Sequence, residues 1–531
     1  MTASHALPDP PPGGLIILPG SASPSHAPPS RATPAGPDPA HYSADFAPEV
    51  ALWDWGSGDA FTIADATTGV AVFGATGSGK TSGPARALAL RYLAYDFGGL
   101  VLCAKPEERA QWERWAEAAG RWDPQTQTGD LIIFDKSARH RFNFLEWEAG
   151  RAGDGGGLTM NVVALFNEVI SSLNRGSGGG EDGEDGGFWK DALTQLMTSA
   201  VDLVILSGEP LSLKLLRDVV RSAPATPQEA RTPEWQTRSV LWGLADKATA
   251  RLAEHPDEER AADLSECVNY WLDDFPNLAE KTRGIIVLSF TALARPFLSM
   301  PLRKLFSSDT SVRPEDTFGG KIVIIDLPVQ EYRQAGRAAA LVFKYCWQIA
   351  VLRRTTQPTP AGQHLRPVFL WADEAQNFMA DFDPDFQAVA RSAAGCTVYL
   401  AQNINQYRRR LGNDDGFEEF VGNLQTKLFC QNTGETNSWA SDLFGKRWKA
   451  IGGVNYGLGT SGLRENANAS SNAGETFNYQ LVSVIEPNEF TTLARGGPHN
   501  RFTVQLVAFK GGQVFHASGE NLRRLNIDQN A

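Results

Sequence analysis

The stretch Gly74-Ala75-Thr76-Gly77-Ser78-Gly79-Lys80-Thr81 constrains this chain more than any other. It reads G-x-x-x-x-G-K-[ST], the spacing of a phosphate-binding loop. Glycines let backbone amides turn inward and cradle phosphate oxygens. The expected cradle is Gly74, Thr76, Gly77, Ser78, Gly79, Lys80 and Thr81. Lys80 reaches the β- and γ-phosphates, and the Thr81 hydroxyl ligates Mg²⁺. The flanks agree. Val70-Ala71-Val72-Phe73 is a short apolar run suited to a buried strand, and residues 80–95 read as a helix with Ala85, Leu88, Leu90 and Leu93 at apolar positions. Pro84 falls near the first turn, where amides lack intrahelical partners and proline costs little. Strand, loop and helix in this order make ATP and Mg²⁺ the expected cofactors.

A P-loop needs an acid for Mg²⁺ and, for hydrolysis, a group that activates water. Asp373-Glu374, closing the apolar run Val368-Phe369-Leu370-Trp371-Ala372, suits both roles. Asp373 is expected at the metal, through water, and Glu374 as general base. Asp326 is a rival, since it also ends an apolar run, but Leu-Pro follows it rather than a second acid. Gln402 ends the next apolar run, Cys396 to Ala401. Parallel strands present their C-terminal ends along one edge, where ligands bind. That places Gln402 near the γ-phosphate as a sensor.

Apolar runs at Gly99–Cys103, Asp130–Asp135, Lys321–Asp326 and Thr426–Cys430 alternate with helical periodicities, so the fold class is α/β with a mostly parallel sheet. Between 151 and 300 the apolar residues recur at three and four, as in Phe188 to Met197, and read as an inserted all-α domain. The expected organisation is a tail at 1–48, a nucleotide-binding domain split into 49–150 and 301–531, and helices between. Residues 1–48 hold 12 of the 31 prolines and read as disordered. Gly176–Gly187 reads as a solvated Gly/acidic loop, 450–478 as a long mobile loop rich in Gly, Asn, Ala and Ser, and Phe502–His516 as a hairpin around Gly511-Gly512.

A net charge of −12 argues against a uniformly basic DNA-coating protein, although local basic surfaces remain open. The five cysteines are scattered, which suggests reduced thiols rather than disulfides or a zinc site. No window supplies the roughly 18 apolar residues of a membrane span, so no intrinsic membrane insertion is expected. A cytoplasmic location follows, with any inner-membrane association made through partners.

Gly74–Thr81, Asp373-Glu374, Ala390-Arg391-Ser392 and Leu400-Ala401-Gln402-Asn403 resemble the type IV coupling proteins of bacterial conjugation, the TraG/TraD kind. Those belong to the HerA/FtsK superfamily of P-loop ATPases with a RecA-like nucleotide domain. Phe188-Trp189-Lys190-Asp191-Ala192, Lys281-Thr282-Arg283-Gly284-Ile285, Asn143-Phe144-Leu145 and Gly434-Glu435-Thr436 carry further similarities. Two features depart from the family pattern. Cys103-Ala104-Lys105-Pro106-Glu107 stands where an Asp-Pro-Lys-Gly-Glu-like run is usual, and a Pro-rich segment stands where membrane helices are usual.

The resemblance implies a homo-hexameric ring that moves DNA and delivers relaxase–DNA to a type IV secretion channel. It also implies that Arg391 is an arginine finger reaching into the neighbouring subunit's site. The expected DNA contacts are Arg408, Arg409 and Arg410, which follow Tyr407, and Lys446, Arg447 and Lys449 around Trp448. Cations neutralise phosphates and an aromatic can stack on bases. Two other readings stay open: a soluble HerA-like motor working with a nuclease in repair, packaging or defence, and an ATP-switched docking protein that does not translocate.

Overall fold

The computed structural model describes residues 39–153, 155–174, 184–356, 358–411, 414–461 and 468–530. Eleven strands are used below: β1 Val70–Phe73, β2 Gly98–Leu102, β3 Leu131–Asp135, β4 Ile322–Asp326, β5 Val368–Ala372, β6 Gly395–Ala401, β7 Thr426–Phe429, β8 Lys446–Ser461, β9 Asn468–Ser483, β10 Thr503–Lys510 and β11 Leu522–Asp528. Nine of them make one sheet in the order β11-β10-β7-β1-β6-β5-β2-β4-β3. β7 with β1, β1 with β6, β6 with β5 and β4 with β3 all pair parallel; β10 and β11 close one edge antiparallel. This is the expected α/β class with a RecA-like central sheet. β1, β2, β5, β6 and β7 are buried at every position, because helices cover both faces of a parallel sheet.

The chain divides into two compact units. The first includes Leu100–Arg109 and Leu131–Pro358. Between β3 and β4 its labelled elements are all helices, among them Thr159–Asn174, Glu184–Ser207, Val240–Glu254 and Glu258–Asn269. Leu196, Met197, Ala200, Val201 and Val204 are buried at the three-and-four spacing expected of a core-facing helix. The Ser199 carbonyl accepts from both Trp271 Nε1 (3.2 Å) and Cys267 Sγ (3.0 Å) and ties two helices of this group together. At the ends of β3 and β4, Arg109 Nη1 bridges Asp135 (3.3 Å) and Asp326 (3.1 Å). All five cysteines are free and buried.

The second unit includes Tyr42–Gly99, Ala110–Asp130 and Thr359–Ala531. Trp112 stacks on Phe369 of β5, and Phe73 of β1 stacks on Phe429 of β7. Ala51–Gly56 pairs antiparallel with Asp59–Thr62 ahead of β1.

Four expectations need correction. Residues 39–48 are packed: Tyr42 and Phe46 are buried, Tyr42-Ser43 pairs with His364-Leu365, and the Arg366 guanidinium lies 5.0 Å from the Phe46 ring centre. Two aromatics overrode the proline-rich composition there; residues 1–38 lie outside the described residues. Residues 450–461 and 468–478 are strand rather than loop, since β8 and β9 pair antiparallel from Lys446↔Ser483 to Ser461↔Asn468, while 462–467 lie outside the described residues. Ladder hydrogen bonds hold glycine and asparagine extended despite their low strand propensity. The Gly/acidic stretch is helical from Glu184, and 175–183 lie outside the described residues. Finally, Gly511-Gly512 does turn the chain after β10, but β10 pairs with β11, which starts at Leu522. The excursion between them is anchored where the amides of His516 and Ala517 donate to Asp59.

Lys427 of β7 is buried, donates to the Leu424 carbonyl at 2.6 Å and lies 5.5 Å from the Phe509 ring centre. Burial pulls its pKa down to about 8, against a smaller upward pull from Glu418. The unfolded chain therefore binds more protons between that value and the ordinary lysine pKa, and stability rises with pH across that window. Lys427→Met removes the burden of a buried charge. Its stability advantage over wild type should shrink by on the order of 1 kcal/mol or more between pH 7 and pH 9.5. Urea titrations of both proteins at the two pH values check this, and a pH-independent difference would refute it.

Candidate nucleotide-binding site

The P-loop leaves β1 and enters a π turn, Thr81–Ala85, that continues into the helix Arg86–Ala94; Pro84 sits in this first turn. Gly77 and Gly79 have φ of +72° and +82°. At Gly79 a Cβ would fall 2.7 Å from the Arg495 carbonyl oxygen, so only glycine fits. Ser78 Oγ is buried and finds no hydrogen-bond partner among the protein's own groups. An unused hydroxyl inside a ring of amides is the kind of donor a phosphate oxygen takes up.

Asp373 and Glu374 follow β5 directly and are both buried. Thr81 Oγ1 donates to Asp373 Oδ2 at 3.0 Å, and the Glu374 amide donates to Asp373 Oδ1 at 2.9 Å. A hydroxyl and a carboxylate oxygen meeting beside a phosphate cradle are hard donors suited to Mg²⁺. Lys80 Nζ lies 3.9 Å from Glu374 Oε1, with both side chains buried. Glu374 has φ +51°, a left-handed conformation rare for a non-glycine residue. Strain of this kind, about 1–3 kcal/mol, persists where the surroundings enforce it and clusters at functional sites.

Gln402 stands at the end of β6, next to β1. Its Nε2 donates to Glu374 Oε1 at 3.2 Å, and its backbone carbonyl accepts from Asn432 Nδ2 at 2.7 Å. Asn432 follows β7, and the Ala75 amide donates to the neighbouring Gln431 carbonyl at 2.9 Å. A cavity of about 370 Å³ opens here, lined by Ala75, Thr76, Gln402, Asn432, Thr433 and Glu435 among others. Residues at the ends of four strands or their loops thus meet at one edge. Sequence reasoning missed Asn432 and also Gln376, whose Nε2 donates to Glu374 Oε2 at 3.0 Å. The signal for Gln376 was its place two residues past the acid, where a tight turn returns a side chain to its neighbour.

The remaining expected residues lie elsewhere. Asp326 is engaged by Arg109 within the first unit. Arg391 is exposed on the short 3₁₀ turn Ala390–Ala393 between β5 and β6, and its guanidinium makes no ion pair with a described residue. Arg408 pairs with Glu435 and sits 4.8 Å from the Phe417 ring centre, while Arg409 is exposed and Arg410 half-buried. Lys446, Arg447 and Lys449 are exposed on β8 beside Trp448, with Arg447 paired to Glu520. Arg408 and Arg447 therefore already have carboxylate partners.

A phosphate loop whose lysine and threonine meet an acidic pair from a parallel strand defines a RecA-like P-loop fold. Residues 367–495 match the family model described as the TraM recognition site of TraD and TraG. The fold is shared with the bacterial conjugative coupling protein TrwBdeltaN70 in its unbound form: TM-score 0.55, 14% identity, covering 91% of this chain and 88% of that one. It is shared also with the plasmid coupling protein TrwB in complex with the GTP analogue GDPNP (TM-score 0.52, 13% identity, 91% and 90% covered). The TrwB complex with the ATP analogue ADPNP scores 0.51 at 14% identity, over 87% and 86%. No curated protein sequence matches. Residues 367–495 are thus similar to the TraD and TraG segment, and the chain has the fold of the TrwB coupling-protein structures.

Gly79→Ala should abolish nucleotide binding, since a Cβ there meets backbone and Val504 at once. Thr81→Ala should instead weaken only the Mg²⁺-dependent part. Calorimetry with a non-hydrolysable ATP analogue, with and without Mg²⁺, separates the two; unchanged affinity in Gly79→Ala would overturn the assignment of the cradle.

Proposed function

We propose that the chain is an ATPase that drives DNA translocation as a homo-hexameric ring of the coupling-protein type, delivering relaxase-bound DNA to a type IV secretion channel. The observation that carries this reading is the convergence of Lys80, Thr81, Asp373, Glu374 and Gln402 at one sheet edge. The nucleotide analogues in the TrwB structures of the same fold support ATP as ligand. The family model over 367–495 is named for TraM recognition, which makes a TraM-like protein an expected partner alongside the relaxase. Among the described residues no helix is long and apolar enough to cross a membrane. In this reading the protein works in the cytoplasm, and secretion-system partners bring it to the inner membrane.

Thr81 and Asp373 would hold Mg²⁺, whose chemistry is to neutralise charge on the β- and γ-phosphate oxygens. Lys80 leaves its 3.9 Å pairing with Glu374 to meet the γ-phosphate. Glu374 takes a proton from the attacking water as that oxygen bonds to the γ-phosphorus and the bond to the bridging oxygen breaks. Gln402 holds the Glu374 carboxylate and reports γ-phosphate loss through Asn432 to the β7 loop. Arg391 is exposed and free to reach a neighbouring subunit's site, where such a cation supplies roughly 10³–10⁵ in rate. DNA phosphates would be met by Arg409, Lys446 and Lys449, with Arg408, Arg410 and Arg447 joining if their present contacts release them.

Lys80→Ala should lose nucleotide affinity, whereas Glu374→Gln should bind normally and hydrolyse at least 100-fold more slowly, by the usual size of general-base catalysis (~10²–10⁴). DNA should stimulate the wild-type rate. Normal hydrolysis by Glu374→Gln would sink the base assignment, and a rate indifferent to DNA would favour the docking-protein alternative.

Arg391→Ala should bind ATP and hydrolyse poorly. Mixing it with Lys80→Ala subunits, which keep the arginine, should restore part of the rate. Full activity of Arg391→Ala alone, or no rescue on mixing, would end the trans-acting role.

A further inference from the structure

Glu374 is held from two sides, and one holder has no part in the mechanism above. Gln402 Nε2 approaches Oε1, while Gln376 Nε2 donates to Oε2 at 3.0 Å. Gln376 lies in the 3₁₀ turn Ala375–Asn377. That turn is closed onto Glu374 itself, because both the Asn377 amide and its Nδ2 donate to the Glu374 carbonyl at 3.0 Å. The left-handed backbone of Glu374 starts this turn and lets the Gln376 side chain double back over the carboxylate. The other end of the amide, Oε1, is buried and finds no hydrogen-bond partner among the described residues. Leaving a buried amide oxygen unsatisfied is destabilising. A glutamine kept for packing alone would do better as a hydrocarbon of the same shape. The cost is consistent with a side chain retained for what its Nε2 does to Glu374.

We propose that Gln376 is a positioning residue for ATP hydrolysis, fixing the Glu374 carboxylate in its base-competent orientation. The proposal rests on Glu374 being the base. Gln402 Nε2 reaches both carboxylate oxygens, Oε1 at 3.2 Å and Oε2 at 3.4 Å, and Gln376 Nε2 donates to Oε2, so the carboxylate plane has little freedom to turn. The two glutamines act on the same group from neighbouring strand ends, one from the β5 turn and one from β6.

The test is steady-state ATP hydrolysis by the full chain with Mg²⁺, for wild type, Gln376→Ala and the near-isosteric Gln376→Met. Each is also combined with Glu374→Gln. Affinity for a non-hydrolysable ATP analogue is measured in parallel. Both single variants should lower kcat about tenfold, as loss of one charge-assisted hydrogen bond predicts. Analogue affinity should stay within about twofold. Added to Glu374→Gln, neither should slow the enzyme further, because their effect runs through the missing carboxylate. An unchanged kcat would overturn the proposal. So would an equal further loss on the Glu374→Gln background, or lost analogue binding, since either marks a role in the fold. A wild type that does not hydrolyse ATP would sink the ATPase reading and this proposal with it. An active wild type with unaffected Gln376 variants would sink this proposal alone.

Discussion

Parallel pairing puts Phe73, Ala401 and Phe429 in one row across β1, β6 and β7, with Ala372 of β5 opposite Tyr399, two residues before Ala401. Each chain leaves its strand at this row. The P-loop therefore starts beside Gln402, Gln402 beside the loop holding Asn432, and Asp373-Glu374 within reach of Lys80 and Thr81. Backbone hydrogen bonds stitch the edge together, Gly74 N to the Ala401 carbonyl and Cys430 N to the Phe73 carbonyl. A one-residue slip in any of these registers would turn the terminal side chains to the opposite face. The site is in this sense a property of the sheet.

The electrostatics follow from that placement. Two carboxylates and an ammonium sit together in a buried setting, where an unpaired charge is costly. Each has an answer: Asp373 takes the Thr81 hydroxyl and a backbone amide, and Glu374 takes two glutamine amides with Lys80 nearby. These contacts are also the ones that phosphates and a divalent ion would rearrange. The groups that would hold a ligand are thus already paired with one another, and binding would exchange partners rather than create them.

Local patterns carried far in this chain where chemistry is local. The P-loop spacing, the acid pair after an apolar strand and the three-and-four helical periodicity each depend on neighbours within a few residues, so all three were readable. Composition misled where pairing is long-range. Gly, Asn and Ser in 450–478 look like loop residues, yet β8 and β9 meet in a ladder that no single strand could announce. Proline content hid Tyr42 and Phe46, whose burial depends on partners more than 300 positions away, His364-Leu365 and Arg366. Basic runs were equally opaque, since Arg408 and Arg447 look free in sequence and are paired in space.

The sequence by itself pointed to a phosphate loop from Gly74, to an acid pair at Asp373-Glu374 closing an apolar strand, and to strands alternating with helices. Those properties are written in residue type and short spacing. Tertiary structure alone decided that Gln376 and Asn432 lie beside that pair and loop, that Asp326 is spent on Arg109, and that Arg408 and Arg447 are paired. Each of these depends on strand register and on turns that bring distant or doubled-back residues within hydrogen-bonding distance, and no local pattern encodes that distance.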